Sequence, residues 1–342
     1  MAVERPSPIT DLPRVQEAVV PLAELDATLR AAQAPMVLRQ LAADWPLVAA
    51  GLQGAAAAQR YLLAHRRDRS FVANIGRPGG GDRLFYDAGM NVNFQTARGR
   101  LEDFFDAMAA GVDDPQAPLV YLSSIDIRGH FSGLAEANPL PLGARQPVES
   151  IWIGSRTCIP AHNDVPDNLA VCAVGRRRFT LLPPSQFENL YAGPLENTPA
   201  GRPVSLVDFR DPDFAAHPRF RQALAQAQVA ELQPGDAVYI PTMWWHHVEG
   251  QEAFNVLVNY WWRDVPHYLG KPEDALLHAI LALRDLPAAE KTHWQDLLNH
   301  YVFDNGADVT AHIPEAARGI LAPLDDATAG RIRARLLRSL SR

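Results

Sequence analysis

From residue 118 onward the chain alternates short apolar runs with clusters of proline, glycine, asparagine and aspartate. PLVYLSS, ESIWIGS, NLAVCAV, RFTLLPP, VSLVDF, DAVYIP, HHVEG and FNVLVNYWW are each a few residues long and rich in β-branched and aromatic side chains. Strands this short and closely spaced predict an antiparallel sandwich or barrel, because βαβ units would interpose helical patterns between them. One helical interruption, HPRFRQALAQAQ, precedes the turn Gln233-Pro234-Gly235-Asp236 that launches AVYIP.

The flanks read differently. Before residue 118, helical patterns (PLAELDATLRAA, AAAAQRYLLAHRR, RLEDFFDAMAAG) mix with the β-like runs PMVLRQL and SFVANI. After residue 265, PEDALLHAILALRDL, PAAEKTHWQDLLNHYVF and DATAGRIRARLLRSL carry leucines three and four apart, so each predicts an amphipathic helix. The expected organisation is a mixed α/β cap over 1–117, a β core over 118–264 and a helical segment over 265–342. The apolar faces of that last segment need a partner, either the core or a second subunit.

With 342 residues, 47% of them hydrophobic, the chain can bury a sizeable core without staples. Two cysteines, Cys158 and Cys172, cannot build a disulfide framework or a thiolate zinc site, and a reducing cytoplasm suits them. The opening MAVERPSPITDLPRVQ has neither the basic end nor the apolar run of a signal peptide, and no stretch reaches the ~20 apolar residues that span a bilayer. A net charge of -7 provides no basic field for a phosphate backbone, although Arg176-Arg177-Arg178 forms a local patch. We therefore expect a soluble, cytoplasmic protein with no membrane or nucleic-acid partner.

His-x-acid occurs twice, at His162-Asn163-Asp164 and His247-Val248-Glu249, a frequency close to chance for 11 histidines and 39 acidic residues. Context favours the first. In a strand, residues two apart share a face, so His162 and Asp164 can present an imidazole and a carboxylate to one ion. A second imidazole must come from a neighbouring strand, and DAVYIPTMWWHHVEG supplies His246. Two histidines and a carboxylate make the facial triad of non-haem iron oxygenases, with open positions for cosubstrate and dioxygen. His247 should face away from His246 and pack under the tryptophans.

From Tyr121 to Trp262 the chain resembles the JmjC and cupin-like (cupin_8) oxygenases, and among them most closely the asparaginyl hydroxylases. The blocks that carry the likeness are PAHNDVPDNLAVCAVGRRRFTLLPPSQFENLY, PGDAVYIPTMWWHHVEG and VNYWW, in the family's order and near its spacing. The resemblance implies a mainly β chain with helices, built on a double-stranded β-helix (jelly-roll) core, that uses iron(II) and 2-oxoglutarate. By position, His162, Asp164 and His246 match the iron ligands, and Arg177 falls where a basic residue pairs with the far carboxylate of 2-oxoglutarate. Alternation after Gly175 places Arg177 on one face with Phe179 and Leu181, where a buried guanidinium needs an anion. Asn168 and Asn259 match asparagines beside metal and cosubstrate, and Tyr121 aligns with a tyrosine that reaches the same carboxylate. In FNVLVNYWW the face bearing Asn255, Leu257, Asn259 and Trp261 should line the pocket. Two positions depart from the family: its usual lysine is Arg177, and a cosubstrate-binding threonine is Ile159.

The implied reaction hydroxylates a C–H bond while 2-oxoglutarate becomes succinate and carbon dioxide. Protein or peptide side chains are the expected substrates, with small molecules as the alternative. The helices of residues 272–342 match the segment through which similar enzymes form homodimers. Two rivals remain, a non-redox metal cupin (hydrolase or isomerase) on the same three ligands and a non-catalytic binding module.

Overall fold

The structure is a computed structural model that describes residues 9–341. It divides into two compact units, residues 9–263 and 264–341. Thirteen strands form the first unit: β1 (Gln16–Ala18), β2 (Met36–Leu38), β3 (Phe71–Gly76), β4 (Phe94–Gly99), β5 (Val120–Asp126), β6 (Val148–Gly154), β7 (Thr157–Asn163), β8 (Asp167–Val174), β9 (Arg177–Leu182), β10 (Gln228–Leu232), β11 (Ala237–Ile240), β12 (Trp245–Gly250) and β13 (Asn255–Trp262). Nine join in the order β1-β2-β11-β8-β13-β6-β5-β3-β4, and four in the order β10-β9-β12-β7. All pairings except β1 with β2 are antiparallel. The chain is thus mainly β with helices around a jelly-roll core, an antiparallel architecture as its run of short strands predicts and of the kind the family resemblance implies.

The two sheets pack through Ala170, Cys172, Val238 and Leu257 of the larger and Ile159, Phe179, Leu181 and Val248 of the smaller. The opposite face of the larger sheet buries Leu169, Val171, Val256 and Val258 against helices at Pro46–Leu52, Ala55–His65 and Leu101–Ala110. With both faces covered, β8 needs apolar side chains throughout, which is why NLAVCAV shows no polar alternation. Strands from before residue 118 extend this sheet, since β2 pairs with β11 and β3 with β5.

Asp236 joins these regions. Its carboxylate accepts hydrogen bonds from Arg39 Nη1 (2.6 Å), Gln40 N (2.9 Å) and Gln233 N (3.0 Å), tying the Pro234-Gly235 turn to the chain after β2. Gly235 has φ of 94°, a conformation that L side chains rarely adopt.

Two expected elements differ. HPRFRQALAQAQ is helical only over Phe220–Leu224, because from Gln228 the chain is drawn into β10, whose residues pair with Leu181 through Arg177 of β9. VSLVDF is not a strand. It forms only an isolated bridge, Ser205 to Ala192, and bonds to β7 through Ser205 N to Ala161 O (2.7 Å).

In the second unit the three amphipathic stretches form helices over Pro272–Leu283, Ala288–Leu298 and Asp326–Leu340. Asp325 caps the last by accepting from Thr328 N at 2.7 Å. The first two bury none of their residues, and Leu276, Leu277, Leu281 and Trp294 are exposed.

Replacing Asp236 with alanine removes three acceptor contacts around a largely buried carboxylate, so Asp236→Ala should cost about 3 kcal/mol. Guanidinium unfolding would show this as a lowered midpoint at constant slope.

Candidate metal centre

β12 lies between β9 and β7, and its register sets His246 directly across from His162. The two imidazole centroids are 4.3 Å apart. His162 Nδ1–H donates to Pro160 O (2.9 Å) and His246 Nδ1–H donates to Trp244 O (3.1 Å), each to a carbonyl two residues earlier. With Nδ1 committed in this way, Nε2 is the ring nitrogen that each imidazole has left to offer a metal. Asp164 follows the end of β7, with Oδ2 3.6 Å from His246 Nε2, and the three donor atoms all lie within 4.8 Å of one another. Ligands ~2.1 Å from one ion sit about 3 Å apart when cis, so little movement would let these three share a cation. Burial pushes His246 down to about 4, with the nearby His162 adding to the effect and Asp164 opposing it. The ring is therefore unprotonated at neutral pH, as a metal ligand must be.

The turn into β12 is drawn over this group. Met243 N–H donates to Asp164 O at 2.8 Å, and Met243 itself has φ of 64°, a left-handed conformation uncommon for a side chain of this kind.

A cavity of about 480 Å³ opens from the triad, within the range of small-ligand sites. Arg177, Tyr121, Asn168 and Asn259 line it with the three metal-ligand candidates, so the structure gathers all seven predicted site residues in one place. Arg177 is 1% exposed, and its Nε and Nη2 have no hydrogen-bond partner among the described residues. Both neighbours are ion-paired, Arg176 with Glu252 at 2.6 Å on the surface and the part-buried Arg178 with Glu231 at 2.9 Å, although Arg178 Nε is itself buried without a partner among the described residues. The inward aim begins at Gly175, whose φ is 77° and where a Cβ would come within 2.5 Å of Asn255 Oδ1. Burial raises Tyr121 to about 12, against the pull of Arg177 beside it, so its phenol stays a neutral donor. Asn259 Nδ2 donates to Asn168 Oδ1 at 2.7 Å, which leaves Asn259 Oδ1 unpartnered and buried.

The expected pocket face of β13 holds for Leu257, Asn259 and Trp261, but Asn255 lies elsewhere, donating to Ser155 O and Glu252 O at the Glu252 turn. Ile159 lines the wall and offers no hydrogen bond. A register shift between His246 and Val248 accompanies the turning of His247 away from the cavity. His247 stacks on Phe209 at 4.8 Å, lies 3.7 Å from Cys158 Sγ and is pushed down to about 3, chiefly by burial. Sequence patterning gave no sign of the wall formed by Thr198, Pro199, Ala200 and Gly201. Its only mark is the small-residue and proline run TPAGRP, which reads as an ordinary loop.

A jelly roll that converges two histidines and one carboxylate on a cavity is the architecture of a cupin-type metalloprotein. The chain belongs to the cupin-like domain family, whose profile matches residues 22–268. Among curated proteins it is similar to lysine-specific demethylase JMJ31 of Arabidopsis thaliana, 36% identical over 115 residues, covering 33% of this chain and 20% of that protein. It is similar also to tRNA wybutosine-synthesizing protein 5 of Gallus gallus, 32% identical over 145 residues, or 41% and 42% of the two chains. HSPB1-associated protein 1 of Homo sapiens is 31% identical over 136 residues, or 39% and 27%. The match thus spans less than half of each of these relatives.

Burial raises both Cys158 and Cys172 to about 12, so neither ionises near neutrality. A disulfide reagent at pH 8 should detect no fast-reacting thiol in the folded protein and two after denaturation. Rapid reaction of either in the folded state would show its burial to be wrong.

Proposed function

We propose that this protein is an iron(II)- and 2-oxoglutarate-dependent oxygenase that hydroxylates a C–H bond, with a protein or peptide side chain as substrate. The observation that carries the reading is Arg177, a buried guanidinium with two unpartnered nitrogens lining the same cavity as the His-Asp-His group. Leaving such a charge without an anion costs several kcal/mol, on the order of the penalty for breaking a buried pair. A diacid that reaches the metal with one end and Arg177 with the other removes that cost. A metal hydrolase or isomerase has no use for such a cation, and a binding module has no use for the triad.

In this reading His162, Asp164 and His246 hold iron(II), which fits a donor set of two nitrogens and one oxygen with an open side toward the cavity. When bound, the metal and 2-oxoglutarate supply the oxidation by dioxygen, with succinate and carbon dioxide as co-products. The chain's own residues bind and orient. Arg177 grips the far carboxylate in a fork that a lysine could not form, offsetting the hydroxyl absent at Ile159. Tyr121, kept protonated by burial, donates to the same carboxylate. Asn168 and Asn259, bonded to each other, present the remaining amide oxygen and hydrogens beside the metal. Leu257, Phe179 and Val248 keep the cavity dry. No side chain acts as an essential general base.

The relatives' names point to lysine and to tRNA as targets of those proteins, and neither target follows for this chain. Its net charge of -7 disfavours a polyanion. We assign the exposed leucines of Pro272–Leu283, together with Phe303 and Leu337, to a homodimer contact.

Purified protein with iron(II), ascorbate and 2-oxoglutarate should release succinate, and a fraction of cell extract containing the substrate should stimulate it. His162→Ala should abolish the release, and Arg177→Ala should raise the KM for 2-oxoglutarate by about 100-fold, the scale of a lost charge-assisted bidentate contact. Succinate output unchanged in His162→Ala would refute the reading. Light scattering should give a dimer mass for the native chain and a monomer for Leu281→Glu, whereas a native monomer would remove the dimer assignment.

A further inference from the structure

The segment between β9 and β10 returns along the outer edge of β7. Gly193 N to Val204 O (2.8 Å) and Leu206 N to Tyr191 O (3.0 Å) close its base, and Ser205 N to Ala161 O fixes it against β7. Its tip is pinned by Tyr86 OH to Asn197 O (2.6 Å) and by Asn197 Nδ2 to Met90 O (2.8 Å). Between these ties, Thr198, Pro199, Ala200 and Gly201 form one wall of the cavity. The next residue, Arg202, donates from Nε to Asn163 O (3.0 Å) and from Nη2 to Asn163 Oδ1 (3.4 Å).

Asn163 is the buried residue between His162 and Asp164. Its carbonyl belongs to the peptide bond that carries Asp164, and β7 ends there, so the ladder does not hold the Asp164 side of that bond. Turning this peptide plane would swing the Asp164 carboxylate relative to the two imidazoles. A planar guanidinium that holds both the carbonyl and the side chain of Asn163 prevents the turn, whereas an ammonium offers no comparable fork.

We infer that Arg202 is a positioning residue: it locks the His162-Asn163-Asp164 turn to the wall at Thr198–Gly201, so that wall and metal ligands hold or loosen together. This rests on the metal-centre reading above but not on the oxygenase chemistry. A substrate that presses on the wall would act on the carboxylate ligand through this side chain.

The test compares the full-length native chain, Arg202→Ala and Arg202→Lys, with Arg176→Ala as control, since Arg176 lies in an exposed ion pair outside the site. Hydrogen exchange on metal-free protein would follow peptides over 195–203 and 161–166, and Co(II) titration would measure affinity. Arg202→Ala should exchange faster in both segments and bind Co(II) about 10–100-fold more weakly, the usual effect of losing a group that orients a ligand. Arg202→Lys should fall between, and Arg176→Ala should match the native chain. Faster exchange confined to 195–203 with unchanged Co(II) affinity overturns the inference, as does no change in either. If Arg202→Ala exchanges faster everywhere, Arg202→Lys decides: it must show the paired effect in the two segments alone, or the inference fails. A native chain that binds Co(II) but releases no succinate refutes the oxygenase reading and leaves this one standing. A native chain that takes up no Co(II) ends both.

Discussion

The antiparallel register of β12 between β7 and β9 is the constraint on which the site depends. One strand fixes His246 opposite His162 on one side and, on the other, runs from Leu181 down to Arg177 opposite Gly250. Because side chains alternate with a period of two, a one-residue slip would turn His246 outward and bring His247 into the cavity. The apolar faces of the two sheets make that slip costly, because Val248 would leave the layer it shares with Phe179, Leu181, Ala170, Cys172 and Leu257. Core packing and ligand geometry are therefore specified by the same pairing.

Against that frame the local irregularities have assignable purposes. The left-handed turn at Gly175 precedes the inward-facing Arg177, and the one at Met243 brings the start of β12 over Asp164. The register shift after His246 accompanies the burial of His247 between Phe209 and Cys158, where it supports the strand from behind without entering the cavity. Asn163, in its bond to Arg202, shows the same economy, because the residue between two candidate ligands is itself held.

Much of this was legible in the sequence. His162 and Asp164 could be paired because strand periodicity places positions two apart on one face, and His246 because a turn, an apolar strand and a tryptophan pair led up to it. Arg177 was singled out by its match to the family's basic position, with alternation after Gly175 in support. The reading failed where pairing overrides local preference. QALAQAQ is a good helix former, but from Gln228 the chain pairs with β9 as β10. β4 went unseen because an edge strand covered on one side needs little apolar character, and FQTARG has little. The wall at Thr198–Gly201 carries no periodic signal, because its position is set by tertiary bonds from Tyr86, Asn197 and Arg202.

The two imidazoles have a further consequence. Their Nδ1 hydrogens are already engaged by Pro160 and Trp244, so the rings are oriented before any ion arrives. A vessel shaped in advance does not select its contents by folding around them. Divalent copper, nickel and zinc bind nitrogen and oxygen donors more tightly than ferrous iron does. If the proposed metal site is filled, its occupant in a given preparation would record the ions the protein has met, and a history of exposure would become part of its chemistry.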